Sequence, residues 1–502
     1  MRELFVISDL HLGGRPGRAA GERGFCINTH GAALAEFVGG VAARAARSSV
    51  GAVELVLNGD VVDFLAIEAE AGGAPRWRPF IEDADAALAA FEQVRAQEGA
   101  FFEALCTLLR AGGDLTLLLG NHDLELSLPK VRAALERALE VPRGGRLRFI
   151  TDGQAYAVGD ALIEHGNRYD GFNVVEHDLL RRCRSAMSRR LPLGSEARFE
   201  PPPGSLLVAE VMNPIKERYA FVDLLKPETE AVLPLLLALE PSLAGDIGRL
   251  WRLWRLRREA GRQAPREPGW PAGAGQIGTA SASAFGSEAF AGDRAGAAAG
   301  GEPLRELLAA RMPPAALERL LGLAQDAQAE MAAGAERIGV RETAAWAGSL
   351  LRLPVGDRPW AERRRILLDA LRTLQNDESF SPDREQGTYL DTAARLCREG
   401  GFAVVVFGHT HLAKSIRINQ GGGHYLNTGT WADLMQVPAA IFDPQETVAM
   451  AELDRFAAAL RSNDLTPYLM HAPHYAHVVV GADGRVQQAA LHRADQQRPE
   501  FL

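Results

Sequence analysis

Five short blocks of Asp, His, Asn and Gly follow or adjoin apolar runs, spread from residue 9 to residue 411 of a 502-residue chain. Asp9-Leu10-His11 follows Leu4–Ile7, and Asn58-Gly59-Asp60, with Asp63 just beyond, follows Leu55–Leu57. Gly120-Asn121-His122-Asp123 follows Leu115–Leu119, the run Glu164-His165-Gly166-Asn167-Arg168-Tyr169-Asp170 comes next, and Gly408-His409-Thr410-His411 follows Val404–Phe407. Short Val/Ile/Leu/Phe runs that stop at polar turns read as buried strands. Helical stretches at Gly31–Arg47, Ala84–Arg110 and Pro129–Leu139 lie between them, the alternation of an α/β sheet covered on both faces. In open α/β sheets, ligands sit beyond the carboxyl ends of the strands. Five loops thus bring Asp, His and Asn to one place. Asp9/His11 and His409/His411 share an i, i+2 spacing that puts both side chains on one side of an extended segment. The glycines at 59, 120 and 408 let the backbone turn where a Cβ would crowd the site. Any one of these pieces is usually a turn or a surface cluster; five at strand ends read as a metal site.

Composition sets outer bounds. Lys plus Arg is 55 against 64 for Asp plus Glu, a net charge of −9, which argues against wholesale nucleic-acid binding. The four cysteines, Cys26, Cys106, Cys183 and Cys397, include no CxxC pair, so neither a zinc knuckle nor a disulfide framework is suggested and a reducing cytosol is the simplest home. The apolar run Leu4–Ile7 is too short for a signal peptide, and Val232–Leu239 is interrupted by Pro234. A soluble, cytoplasmic protein is expected.

The blocks D-x-H, G-D-x-x-D, G-N-H-D, a lone His and G-H-x-H, in that order, resemble the calcineurin-like metallophosphoesterase superfamily. The resemblance covers about residues 1–170 and 402–427, with the C-terminal hairpin. It implies an α/β fold, a four-layer α/β/β/α sandwich, and an enzyme. It also implies two divalent ions, one held by Asp9, His11, Asp60 and His411, the other by Asp60, Asn121, His165 and His409, with Asp60 between them. Two such ions clamp a phosphoryl group and activate water for in-line attack. Carboxylate, imidazole and amide oxygen suit Mn²⁺ foremost, then Fe or Zn²⁺. By the same resemblance His122 is no ligand but assists the leaving oxygen, Asp123 holds its imidazole in the right tautomer, and Asp63 supports the loop that presents Asp60. Asn167 and Arg168 are placed to grip a substrate phosphate, although a loop salt bridge is an equal reading for Arg168.

Residues 171–400 are rich in Leu, Ala, Arg and Glu and poor in strand patterns. They read as a mainly α-helical insertion with a Gly/Ala/Ser/Pro linker at 263–301, between a first core segment at 1–170 and a second at 401–502. Within it, the helix 245–262 carries Arg249, Arg252, Arg255, Arg258 and Arg262 opposite Leu250, Leu253 and Trp254. The favoured reading buries the Leu/Trp face in the insertion; the other is peripheral contact with an anionic membrane. A second basic cluster holds Arg181, Arg182, Arg184, Arg189 and Arg190. His471, His474 and His477 read as a surface turn before a hairpin made by Ala482-Asp483-Gly484. The opening Ser8-Asp9-Leu10-His11-Leu12-Gly13 and the place of the insertion resemble the UDP-2,3-diacylglucosamine pyrophosphatase branch, where a helical lid covers a lipid-bearing substrate. Hydrolysis of a phosphoester or pyrophosphate in a small-molecule or lipid-linked substrate is the expected function. A nuclease or cyclic-nucleotide phosphodiesterase is the alternative, and a non-catalytic scaffold is a third reading.

Overall fold

The structure, a computed structural model, describes residues 1–17, 23–48, 51–69, 76–141, 146–194, 197–240, 359–385, 387–419 and 422–501. The apolar runs of the sequence are β1 (Arg2–Ile7), β2 (Ala52–Asn58), β3 (Asp114–Leu118) and β8 (Val404–Phe407). Shorter strands are β4 (Leu147–Ile150), β5 (Tyr156–Val158), β6 (Ala161–Ile163), β7 (Leu225–Lys226), β9 (Ala413–Ile418), β10 (Gly423–Thr428), β11 (Leu434–Gln436), β12 (Leu469–Met470), β13 (His474–Val480) and β14 (Val486–Arg493). One six-stranded sheet runs β14-β13-β1-β2-β3-β4 and one five-stranded sheet β5-β6-β8-β10-β9. In the first, β1 to β4 are parallel and β13 is antiparallel to both neighbours; in the second, β6, β8 and β10 are parallel.

Strands that are apolar on both faces must be covered on both, and their side-chain alternation decides what each face meets. Phe5 and Ile7 of β1 join Leu55, Leu57, Leu115 and Leu117 in a core shared with α1 (Gly31–Arg47), α2 (Ala84–Gln97), α3 (Gly99–Arg110) and α4 (Pro129–Ala138). Leu4 and Val6 turn the other way, into a second core with Val56, Leu118, Ile163, Val404, Val406 and Leu426. The mixed α/β class expected from the sequence is therefore present, and the two sheets share a core. The expected hairpin is β13–β14. The single helix expected over Ala84–Arg110 is two, because Glu98 leaves helical geometry (φ −103°, ψ 32°) and Gly99 follows it. Strands β4 to β6 were unmarked in the sequence, being only three or four residues long.

The described chain forms two compact units: Met1–Glu217 with Phe380–Asp433 and Met470–Leu502, and Arg218–Ser379 with Leu434–Leu469. These boundaries differ from the expected 171–400 insertion. Residues 171–217 stay with the first unit because α5 (His177–Ser188) buries Leu180 and Cys183 in the helix-side core. Residues 380–400 stay there too, where the helix Thr388–Gly400 sets Tyr389 against Phe407. Residues 434–469 join the second unit through the helix Glu446–Ser462, whose Asp454 accepts from Trp360 Nε1 at 2.8 Å. The expected linker 263–301, the basic helix 245–262, and the helices expected at Pro303–Arg311, Pro314–Ala333 and Arg341–Leu351 lie outside the described residues. All four cysteines are buried and free. Among the described residues, no helix is long and apolar enough to cross a membrane.

One charge lies on the face of β2 turned toward the shared core. Glu54 is fully buried, paired with Arg2, and accepts hydrogen bonds from Thr116 Oγ1 at 2.6 Å and Tyr156 Oη at 2.7 Å. Tyr156 belongs to the second sheet, so this knot fastens the two sheets. Tyr156→Phe is expected to cost about 1–3 kcal/mol, the usual loss when a buried charged group gives up a hydrogen bond, read as a lower midpoint in urea denaturation.

Candidate metal centre

The five blocks converge at the carboxyl ends of β1, β2, β3, β6 and β8. Five of the seven expected ligands hold left-handed backbone conformations: Asp9 (φ 53°), His11 (44°), Asp60 (51°), His409 (69°) and His411 (64°). Such conformations are costly for non-glycine residues and persist only where the surroundings enforce them. Here the enforcement is visible. Asp9 N–H donates to Gly59 O at 3.1 Å, His11 N–H to Asp60 O at 2.9 Å, and His409 N–H to the Asp9 carboxylate at 2.9 and 3.1 Å. Glycine is required at 120 and 408: a Cβ at 120 would collide with Asp60 Oδ1, and one at 408 with Ser8 Oγ and Asp9 Oδ2.

Three overlapping groups of candidate donors result, one made of His11, Asp60 and His122 and two that reach across the five blocks. In one of those two, ligand atoms of Asp9, His11 and His411 lie within 4.8 Å of one another; in the other, those of Asp60, His165 and His409 do. His411 Nε2 stands 3.4 Å from Asp9 Oδ1 and 3.0 Å from His11 Nε2. His165 Nε2 is 3.2 Å from Asp60 Oδ2, and His11 Nε2 is 3.9 Å from the same oxygen, which puts Asp60 between the groups. Asn121 Oδ1 and His165 Nε2 are buried without a hydrogen-bond partner. Buried polar atoms are almost always satisfied, so these two orphaned ligand atoms, one of them beside the Asp60 carboxylate, fit a cation. The ring orientation agrees, because His165 Nδ1 is spent on Asn58 O at 2.8 Å and leaves Nε2 for an ion. Burial pushes Asp9 and Asp60 upward, but the neighbouring imidazoles outweigh it, His165 foremost. Asp9 falls to about 2 and Asp60 well below the usual carboxylate range. Both stay ionised, as ligands must.

His122 lies beside the centre, its ring edge-on to His11 at 4.8 Å. Its Nδ1 meets Asp63 Oδ1 at 2.9 Å, and Asp63 Oδ2 is 3.7 Å from His11 Nδ1. This corrects the expected role of Asp123. Asp123 instead accepts the backbone N–H groups of Val61 and Gly120, each at 2.8 Å, and braces both loops; it is Asp63 that orients the His122 imidazole. The reason is reach: the Asp123 carboxylate is turned under its own loop, while Asp63 comes round from the β2 side. Burial lowers the His122 pKa, but Asp63 and then Asp60 lift it to about 9. Asp123 is raised to about 7 by burial and by Asp60, against its two backbone hydrogen bonds.

Asn167 and Arg168 take structural places. Asn167 Nδ2 donates to Asn173 O at 2.8 Å. Arg168 Nη2 donates to Gly153 O at 2.6 Å, with Nε 3.7 Å from Glu164, which is the loop salt bridge of the two readings. Arg168 still lines a small cleft beside His165, with Gln154, Asn167 and His177. In the second basic cluster, Arg184 bonds Thr151 Oγ1 and Arg181 lies 3.6 Å from Asp178. His474 and His477 belong to β13, not to a surface turn; His477 is buried and bonds Glu3 at 2.9 Å. His471 stacks on His30 at 3.5 Å beside Asp433, a carboxylate already engaged by His30 at 2.7 Å and by Arg23. Two polar residues near the centre escaped the sequence reading. Asp170, the last residue of the fourth block, has Oδ2 3.2 Å from His409 Nε2, and Asn173 Oδ1 is 3.3 Å from Asn121 Nδ2. Only their position after His165 hinted at them.

No protein-family model matches the chain. No curated protein sequence matches it either.

Beneath the His122 loop, Glu125 is buried and accepts the Ile81 N–H at 2.7 Å. Burial raises its pKa to about 8, with Asp123 and Asp63 adding to the rise. A carboxyl raised above its unfolded value contributes stability that is full below pH 4.5 and lost as pH climbs toward 8. Glu125→Gln keeps the acceptor oxygen and removes the titration. Metal-free protein carrying it is expected to lose less stability between pH 4.5 and 8 than wild type, read as the pH dependence of Tm. Parallel pH curves would exclude a buried, protonated Glu125.

Proposed function

We propose that the chain is a metallophosphoesterase, a hydrolase of phosphoester or pyrophosphate bonds. In this reading Asp9, His11, Asp60 and His411 hold one divalent ion and Asp60, Asn121, His165 and His409 another. The observation that supports it most is the convergence of seven donor groups from five loops, with Asn121 Oδ1 and His165 Nε2 buried and unpartnered. The donor set favours Mn²⁺, with Fe or Zn²⁺ as the other candidates. When bound, such a pair of ions neutralises phosphoryl oxygens and draws the nucleophile from water. Asp9 and Asp60 are the only carboxylates in the set, so the loaded centre keeps net positive charge for an anionic substrate.

His122 is the acid of this scheme. Asp63 occupies Nδ1 at 2.9 Å, which leaves Nε2 as the ring position that can pass a proton to the leaving oxygen. The raised pKa keeps that proton in place at neutral pH, although ions beside Asp60 would offset part of the rise. The two sheets sharing one core, with helices packed on the outer face of the first, support the four-layer sandwich of the calcineurin-like superfamily that the five blocks resemble. A small-molecule or lipid-linked phosphate ester is the proposed substrate class.

Mn²⁺-dependent hydrolysis of p-nitrophenyl phosphate or its bis ester is the expected result with purified protein. His409→Ala is expected to abolish it. His122→Ala should retain bound metal and lose about 10²–10⁴-fold in kcat, the usual contribution of a positioned acid. Protein that binds no transition metal, or a His409→Ala variant as fast as wild type, would refute the reading.

A further inference from the structure

The geometry points to Asp170 and Asn173 as paired positioning residues that orient two ligands of one ion, His409 and Asn121, by fixing the direction of every hydrogen bond between them. The inference rests on the two-ion reading above and adds residues that reading does not use.

The segment after His165 is folded for this purpose. Gly166 takes φ 103° and starts a single 3₁₀ turn over Asn167–Tyr169. Asp170 N–H then closes on Asn167 O at 3.1 Å and Asn173 N–H on Asp170 O at 2.9 Å. Asn167 Nδ2 pins Asn173 O from the other side at 2.8 Å. The result is a hydrogen-bonded loop with the side chains of Asp170 and Asn173 bonded to each other and facing His409 and Asn121.

Donor and acceptor chemistry then leaves one assignment. An ionised carboxylate only accepts. Asp170 Oδ1 takes the Phe172 N–H at 3.0 Å, and Oδ2 takes Asn173 Nδ2 at 2.8 Å and His409 Nε2 at 3.2 Å. Since Asn173 spends its amide nitrogen on Asp170, its Oδ1 faces Asn121 and must accept. Asn121 therefore donates Nδ2, at 3.3 Å, and is left with Oδ1 as its free atom. That is the atom found buried and unpartnered. By the same logic His409 carries its proton on Nε2, toward Asp170, which leaves the Nδ1 lone pair for an ion. One carboxylate thus sets the tautomer of His409 directly and the amide orientation of Asn121 through Asn173. Carboxylate–imidazole pairs of this kind set ligand orientation and basicity at metal sites, and losing one costs about 10–100-fold in affinity. His11 and His411, in the other group, take no part in this chain of bonds.

Metal-stripped full-length protein titrated with Mn²⁺ in a calorimeter tests this. Wild type is expected to take up two ions. Asp170→Asn should weaken one of them about 10–100-fold and leave the other unchanged, with Asp170→Glu recovering part of the loss. Asn173→Ala should weaken the same ion, and the double variant should be no worse than Asp170→Asn alone, because both residues act in one chain. If Asp170→Asn fails to fold, Asn173→Ala carries the test by itself. In metal-free protein, ¹⁵N-histidine NMR should report His409 as the Nε2–H tautomer, shifting toward Nδ1–H in Asp170→Asn; a purely structural role would not move it. Two ions bound by Asp170→Asn and Asn173→Ala at wild-type affinity would overturn the relay and leave the two-ion reading standing. A wild type that binds no Mn²⁺ would overturn both.

Discussion

Asp9 is a fully buried carboxylate at the end of the central strand of the first sheet, and the rest of the site is arranged around keeping it ionised. A buried charge is tolerated only when it is paired and hydrogen-bonded. Asp9 meets that condition with Ser8 Oγ beside it in sequence, and with the His409 N–H and the His411 imidazole from the far end of the chain. Its backbone carbonyl accepts from Trp431 N–H and Thr430 Oγ1. One carboxylate thus ties β1 to the loops after β8 and β10. Asp60 repeats the pattern, accepting the His122 N–H at 2.8 Å while its other oxygen faces His165. The loops are held to one another by the same anions that would hold ions.

The second general feature is strain placed where the donors are. A left-handed backbone is expensive for Asp or His, yet five expected ligands adopt it. The return is directional: a strand that ended in ordinary geometry would carry its last side chain to one face of the sheet, whereas a left-handed residue at the strand end turns the chain back across the edge. Rigid strands and two cores absorb the cost. The orphaned atoms follow the same logic, because a fold that fixes Asn121 and His165 by their other polar atoms leaves Oδ1 and Nε2 without a hydrogen-bond partner.

How much of this was legible depends on range. The strands β1, β2, β3 and β8 were readable because an apolar run bounded by Gly, Asn and Asp is a local signal. The short strands β4 to β6 carried none. Asp123 adjoins His122 in the sequence while Asp63 lies a block earlier, and nothing in the spacing says which carboxylate reaches the imidazole. That depends on how the loop after β2 crosses the loop after β3, and the crossing gives it to Asp63. The unit boundaries fail for a similar reason. Residues 171–217 look like the helical stretch that follows them, but Leu180 and Cys183 are buried in the first core.

By itself the sequence determined the class of the fold, the order of the five loops and the types of donor they carry, because strand patterning and side-chain chemistry are properties of a few neighbouring residues. Only the tertiary structure decided which ring nitrogen of His122, His165 and His409 is spent on a neighbour, that Asp63 rather than Asp123 serves His122, and that Asp170 and Asn173 stand behind His409 and Asn121. Those choices are made by hydrogen bonds between residues tens to hundreds of positions apart, and their direction is set by whichever polar atom each partner has already spent.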